Sequence, residues 1–185
     1  VQTLLTTLKQ DPYALETAYV SVITFDSSAR QAVPLTDLLS FQMPALTASG
    51  TTSLGEALTL TASSIAKEVQ KTTADTKGDW RPLVFLMTDG SPNDDWRKGL
   101  NDFKAARTGV VVACAAGHDA DTSVLKEITE IVVQLDTADS STIKAFFKWV
   151  SASISVGSQK VESSKKEVIG LEDLPPPPPE VNVVL

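Results

Sequence analysis

Two stretches of this chain are apolar without a break, Pro82 to Met87 (PLVFLM) and Val110 to Ala115 (VVVACA). A strand with one wet face alternates apolar and polar residues, so unalternated runs of this length predict strands covered on both faces. The segment between them opens with Asp94-Asp95, negative charge suited to the positive end of a helix running to about Arg107. Two doubly buried strands joined by a helix predict a right-handed βαβ crossover in a parallel sheet.

The same alternation spans residues 54 to 157. Leu58, Ala62, Ile65 and Val69 line one face of a helix from Leu54 to about Lys71, with Ser53 and Glu56 at capping-box spacing. A short helix at Thr122 to Ile128 and a strand at Ile131 to Leu135 follow. Ile143, Phe146, Phe147, Val150 and Ile154 then mark the buried face of a last helix, capped by Ser140 or Ser141. Upstream, Val1, Leu4, Leu5 and Leu8 keep a helical spacing that stops at Asp11-Pro12. Ala18 to Phe25 suits a strand, and Asp26-Ser27-Ser28 turns into a second one at Gln31 to Leu35. Its Pro34 cannot donate to a ladder and places it at an edge.

The expectation is an α/β, Rossmann-like, doubly wound and mainly parallel sheet with one antiparallel edge strand and helices on both faces. Residues 1–158 form one domain, and residues 159–185 a flexible proline-rich tail. Pro175 to Pro179 are expected as polyproline II; Val181 to Leu185 are either a short docking strand or disordered, with disorder preferred.

Composition narrows the function. A formal charge of −7 disfavours nucleic acid and anionic membrane as partners. No apolar run approaches the roughly 20 residues that cross a bilayer. The single Cys114 excludes an internal disulfide framework, fits a reducing compartment, and reads as a small core residue. His118 is the one histidine and lacks partners for a triad or a zinc site. No nucleophile elbow, P-loop or dinucleotide fingerprint is present, and the position two residues after Asp89, where an aspartyl phosphotransferase has a second aspartate, is Ser91. A non-enzymatic protein is expected.

In a doubly wound sheet, ligands bind outside the C-terminal strand ends. Two loops there carry hard oxygen donors: Ser49-Gly50-Thr51-Thr52-Ser53, and Thr88-Asp89-Gly90-Ser91-Pro92-Asn93 after the buried PLVFLM strand. A hydroxyl and a carboxylate meeting at one edge suit Mg²⁺ or Mn²⁺. On structural grounds alone Thr52 is equally a helix N-cap and Asp89 a turn residue. Asp94 and Asp95 complement a helix dipole, and Trp96 either packs half-buried or faces a partner.

The segments SGTTSLGEAL and PLVFLMTDGSPND resemble the second and third elements of the metal-ion-dependent adhesion site of von Willebrand factor A (VWA) domains, and more narrowly the bacterial TerY-like proteins encoded with tellurite-resistance genes. The resemblance implies a non-enzymatic protein-interaction module. In it Thr52 (or Thr51, if the loop register differs) and Asp89 contribute to a Mg²⁺ or Mn²⁺ site. It also implies a cytoplasmic stress-response or defence role, with a protein kinase and a PP2C-type phosphatase as partners. The family's first element, D-x-S-x-S on a first central strand, is not among these residues; Asp26-Ser27-Ser28 lacks its spacing. That strand is expected from residues beyond these 185 or from another chain. A metal-free scaffold of the same fold is the alternative, and a phosphate- or ester-hydrolysing enzyme the third reading.

Overall fold

The computed structural model describes residues 5, 6, 8–46, 50–117, 121–135, 137, 139–164 and 174–184. In chain order the elements are α1 (Pro12–Thr17), β1 (Tyr19–Phe25), β2 (Ala29–Asp37), α2 (Leu54–Glu68), β3 (Val84–Thr88), α3 (Trp96–Ala105), β4 (Val111–Ala116), α4 (Thr122–Ile128), β5 (Ile131–Leu135), α5 (Ser140–Ser164) and β6 (Val181–Val184).

Strands β3, β4 and β5 are parallel neighbours, joined by α3 and α4 as the apolar runs require. Their side chains divide between two cores. Ala113, Ala115 and Val132 pack against Leu54, Leu58, Trp96, Leu100, Phe103, Leu125 and Ile128 of α2, α3 and α4. The alternate residues Val112, Cys114, Val133 and Leu135 pack against Phe146, Trp149 and Val150 of α5. A sheet covered on both faces has no wet side, which is why β4 shows no alternation. Cys114 is fully buried, and burial pushes its thiol up to about 12, so it acts as a small apolar residue.

Four features add to or depart from expectation. Leu5, Thr6 and Leu8 are helical and the helix gives out before Asp11-Pro12 as expected, but Pro12 starts a further one. Proline lacks an N–H that the first turn would leave unpaired anyway, and Asp11 Oδ1 accepts from Ala14 N at 3.3 Å. The antiparallel pair β1–β2 forms a separate ribbon, and among the described residues β1 and β3 are each paired on one side only. Pro34 is exposed within β2. The ribbon is tied to α2 by Glu68, whose carboxylate accepts from Leu35 N at 2.7 Å and from Gln31 Nε2 at 2.9 and 3.0 Å.

The third departure is α5, which runs to Ser164, past the expected end near Gly157. Its cap is Asp139 rather than Ser140 or Ser141, taking Ser141 N at 2.8 Å, Thr142 N at 3.0 Å and the hydroxyls of Ser141 and Thr137. The Ser141 hydroxyl, then that of Thr137, then the Thr142 amide hold its carboxyl well below the usual carboxylate range. A depressed folded-state pKa contributes stability above the unfolded-state value and loses it as pH falls. The urea midpoint should therefore drop more steeply from about pH 4 down to about pH 2 in this chain than in Asp139→Asn; parallel acid limbs would assign the acid sensitivity elsewhere.

The fourth concerns the tail, expected to be flexible with a disordered end. Val181–Val184 instead add to the sheet as β6, antiparallel to β5 with Leu135 opposite Val181 and Val132 opposite Val184. Val181 is buried and Leu174 packs on the α5 core. An apolar tetrad beside an open sheet edge gains ladder bonds and burial together, a gain that depends on β5 being adjacent.

Candidate functional site

Three loops meet at the C-terminal ends of β1 and β3. The turn 26–28 follows β1, residues 50–53 lead into α2, and residues 89–95 join β3 to α3. Asp26 O accepts from Ser53 N at 2.9 Å, and Ser27 Oγ from Thr51 N at 3.4 Å. Gly50 sits at φ 86° with Ser27 Oγ where a β-carbon would lie, so this position requires glycine. The Asp26-Ser27-Ser28 turn, which lacks the D-x-S-x-S spacing, thus lies against the Thr51–Ser53 loop.

Thr52 is held on both backbone atoms by Asn93: Thr52 N donates to Asn93 Oδ1 at 3.1 Å, and Asn93 N donates to Thr52 O at 3.1 Å. A β-carbon on Gly90 would stand 3.1 Å from Thr52 Oγ1, so the turn after Asp89 runs beside the threonine hydroxyl. Thr88 Oγ1 shapes that turn, donating to Gly90 O at 3.2 Å and accepting from Gly90 N at 3.4 Å. The structure therefore brings the Thr52 loop and the Asp89 loop together; Thr52 is half-buried and Asp89 exposed. Thr51, the alternative ligand, is exposed beside Ser27.

The helix-capping expectations change partners. Thr52 does not cap α2; Ser53 is at the N-cap position and makes no side-chain cap bond, so the Ser53–Glu56 capping box does not form. Asp94 does the capping from the neighbouring loop, accepting from Gly55 N at 3.0 Å and Glu56 N at 2.9 Å. Asp94 was expected to complement the dipole of its own helix. It complements that of α2, while Asp95 is the N-cap residue of α3 without a side-chain bond. Asn93 and Asp94 are the positioning residues that the sequence reading missed. Their signal was only polar character next to the T-D-G turn. Trp96 is buried in the core, with Arg97 stacked 4.4 Å over its ring and bridged to Glu127 at 3.3 Å; of its two expected roles it takes packing, more deeply buried than expected. His118 and Ser49 lie outside the described residues.

The sequence profile of the von Willebrand factor type A domain matches residues 1–148. This chain belongs to that family. No curated protein matches the sequence. Among solved structures, it is similar to proximal thread matrix protein 1 of the mussel byssus, with a TM-score of 0.60 at 19% identity, covering 82% of this chain and 41% of that one. It is also similar to BatB from Bacteroides thetaiotaomicron, with a TM-score of 0.52 at 18% identity, over 81% of this chain and 84% of that one. At these identities the likeness shows the fold. The chain spans 41% of the length of the mussel protein's chain.

For this VWA domain the donor chemistry fits a hard divalent cation, as a threonine hydroxyl and an aspartate carboxylate are hard oxygen donors on adjoining loops. The donor number is small. Among the described residues no group of three or more His, Cys, Asp or Glu side chains converges as a metal site. Asp94, the other nearby carboxylate, is engaged by two helix amides.

Proposed function

We propose that this VWA domain is a non-enzymatic protein-interaction module whose binding face is the strand-end surface formed by the 26–28, 50–53 and 89–95 loops. The observation that carries the reading is the Asn93 clamp on Thr52, which holds a hydroxyl loop and a carboxylate loop side by side at the C-terminal strand edge. Thr52 and Asp89 would hold Mg²⁺ or Mn²⁺ there, with water and a further ligand completing the coordination. An ion in that place turns the repulsion between an acidic domain and a partner's carboxylate into attraction. The family's first strand, carrying D-x-S-x-S, would belong beside the edges of β1 and β3 that have no partner among the described residues. A cytoplasmic place in a tellurite-resistance or stress-response system, with a kinase and a PP2C-type phosphatase as partners, rests on the TerY-like residues alone.

Calorimetric titration with Mg²⁺ and Mn²⁺ tests the site. Two protein donors predict weak binding, with a Kd of about 1 mM or above, abolished by Asp89→Ala and weakened about tenfold or more by Thr52→Ala. Binding untouched by either substitution would refute the assignment. The absence of a three-carboxylate cluster among the described residues favours a second reading, a metal-free scaffold. Partner capture that is unchanged by EDTA and lost on altering the loops would select it.

A further inference from the structure

A second surface lies at the opposite edge of the four-stranded sheet from β3. Residues 174–184 cross α5 as a strap and end as β6. The attachment has three parts. Trp149, itself buried, donates its indole Nε1–H to Pro175 O at 2.8 Å. Leu174 packs on the α5 core and Val181 is buried in it. Four residues of β6 pair with β5. Pro175 to Pro179 have no N–H to give, and the bond from Val181 N to Pro178 O stays within the strap. Asn182 and Val183 are exposed.

By contrast, β4 is paired on both sides and covered on both faces. Removing the strap costs one buried valine (Val181), the half-buried Leu174 and Val184, a short edge ladder and one indole hydrogen bond. It leaves the Trp149 indole N–H without that acceptor and β5 without its partner on that side. An indole donor reaching a proline carbonyl and an open strand edge are the two recognition modes used for polyproline segments and for added strands. Here they adjoin in the order that one extended peptide fills.

We propose that the β5 edge and Trp149 form a binding site for an extended segment, proline-led and ending in β-branched residues. The chain fills it with its own residues 174–184, and the same residues of a second copy fill it by exchange. The sequence known to fit is this chain's own, and exchange between copies retains every contact, which makes it a low-cost route to a dimer. This surface is separate from the strand-end face, so either proposal can fail alone.

The test uses the full chain. Amide hydrogen exchange should show the β6 amides opening at least about 100-fold more readily than those of β4, as a local unit. A labelled peptide of residues 174–185 should bind the full chain, whereas one carrying Asp at the positions of Val181 and Val184 should not. Mixed light and heavy isotopic copies should form hybrid dimers as concentration rises. Exchange of β6 only with β4, in a single global event, together with no peptide binding, would make the strap an integral strand and overturn the proposal. Peptide binding by a chain that stays monomeric at all concentrations would overturn the second copy as occupant.

Discussion

Gly99→Ala is expected to lower the thermal midpoint by roughly 6–12 °C, corresponding to a loss of about 3 kcal/mol. A β-carbon at Gly99 would overlap Gly55 O and stand 2.7 Å from Gly55 C and 2.8 Å from Gly55 Cα. Across the same contact, a β-carbon on Gly55 would meet Trp96 Cα at 2.7 Å and Asp95 O at 2.8 Å. These obstacles are backbone, which cannot rotate aside, so α2 and α3 would have to separate. Separation would strain the Asp94 caps on Gly55 and Glu56 and loosen Leu54 and Leu58 against Trp96, Leu100 and Phe103. Alanine's better helix propensity returns only about 1 kcal/mol. Because Asn93 lies in the same connection, the substitution should also weaken any cation binding at Thr52 and Asp89. Lys98→Ala, exposed on α3, is the control and should leave the midpoint unchanged. A Gly99→Ala midpoint as high as the control's would mean that the two helices have room to spare.

Phe146→Ala should cost about 3–5 kcal/mol, a large part of the roughly 5–15 kcal/mol that holds a typical domain folded. Phe146 is 1% exposed and sits in the core between α5 and the sheet. Its ring meets Phe147 edge-on at 5.5 Å between centroids and Trp149 at 6.2 Å. Truncation leaves a cavity under three parallel strands that cannot collapse without breaking ladder bonds. Phe147 is half-buried, so Phe147→Ala should cost clearly less. Urea denaturation of the two variants compares them directly, and equal losses would show that Phe146 does not anchor this face. Val181 and Leu174 share this core, so protection of the β6 amides should fall in Phe146→Ala before that of β4.

How much was legible follows from which interactions are local. The runs at 82–87 and 110–115 hold the strands Val84–Thr88 and Val111–Ala116, as their short unalternated apolar character predicts. Strand β4 is buried as expected, whereas β3, paired on one side among the described residues, is only half-buried up to Met87. The Leu58, Ile65 and Phe146 stripes are helices because their period matches 3.6 residues. Sheet direction and the two-faced core follow from these. The loops bearing Thr52 and Asp89 were legible as strand-end loops for the same reason.

What the sequence could not show are partnerships between distant residues. Ser53 has the spacing of a cap, yet Asp94, far along the chain, takes the amides; the two helix ends cross where Gly55 meets Gly99, which puts a stronger acceptor within reach. Asp26-Ser27-Ser28 is legible as a turn between two strands, but only the fold sets it against Thr51 and Ser53. The end of the tail carries the same four residues whether it is loose or docked, and the open edge of β5 decides between them. Periodicity and local composition determined which segments are strands and helices, because those depend on neighbours three or four residues away. Tertiary structure alone decided the caps, the clamp on Thr52 and the closing strand, because a hydrogen bond goes to whichever acceptor the packing of whole elements brings within about 3 Å.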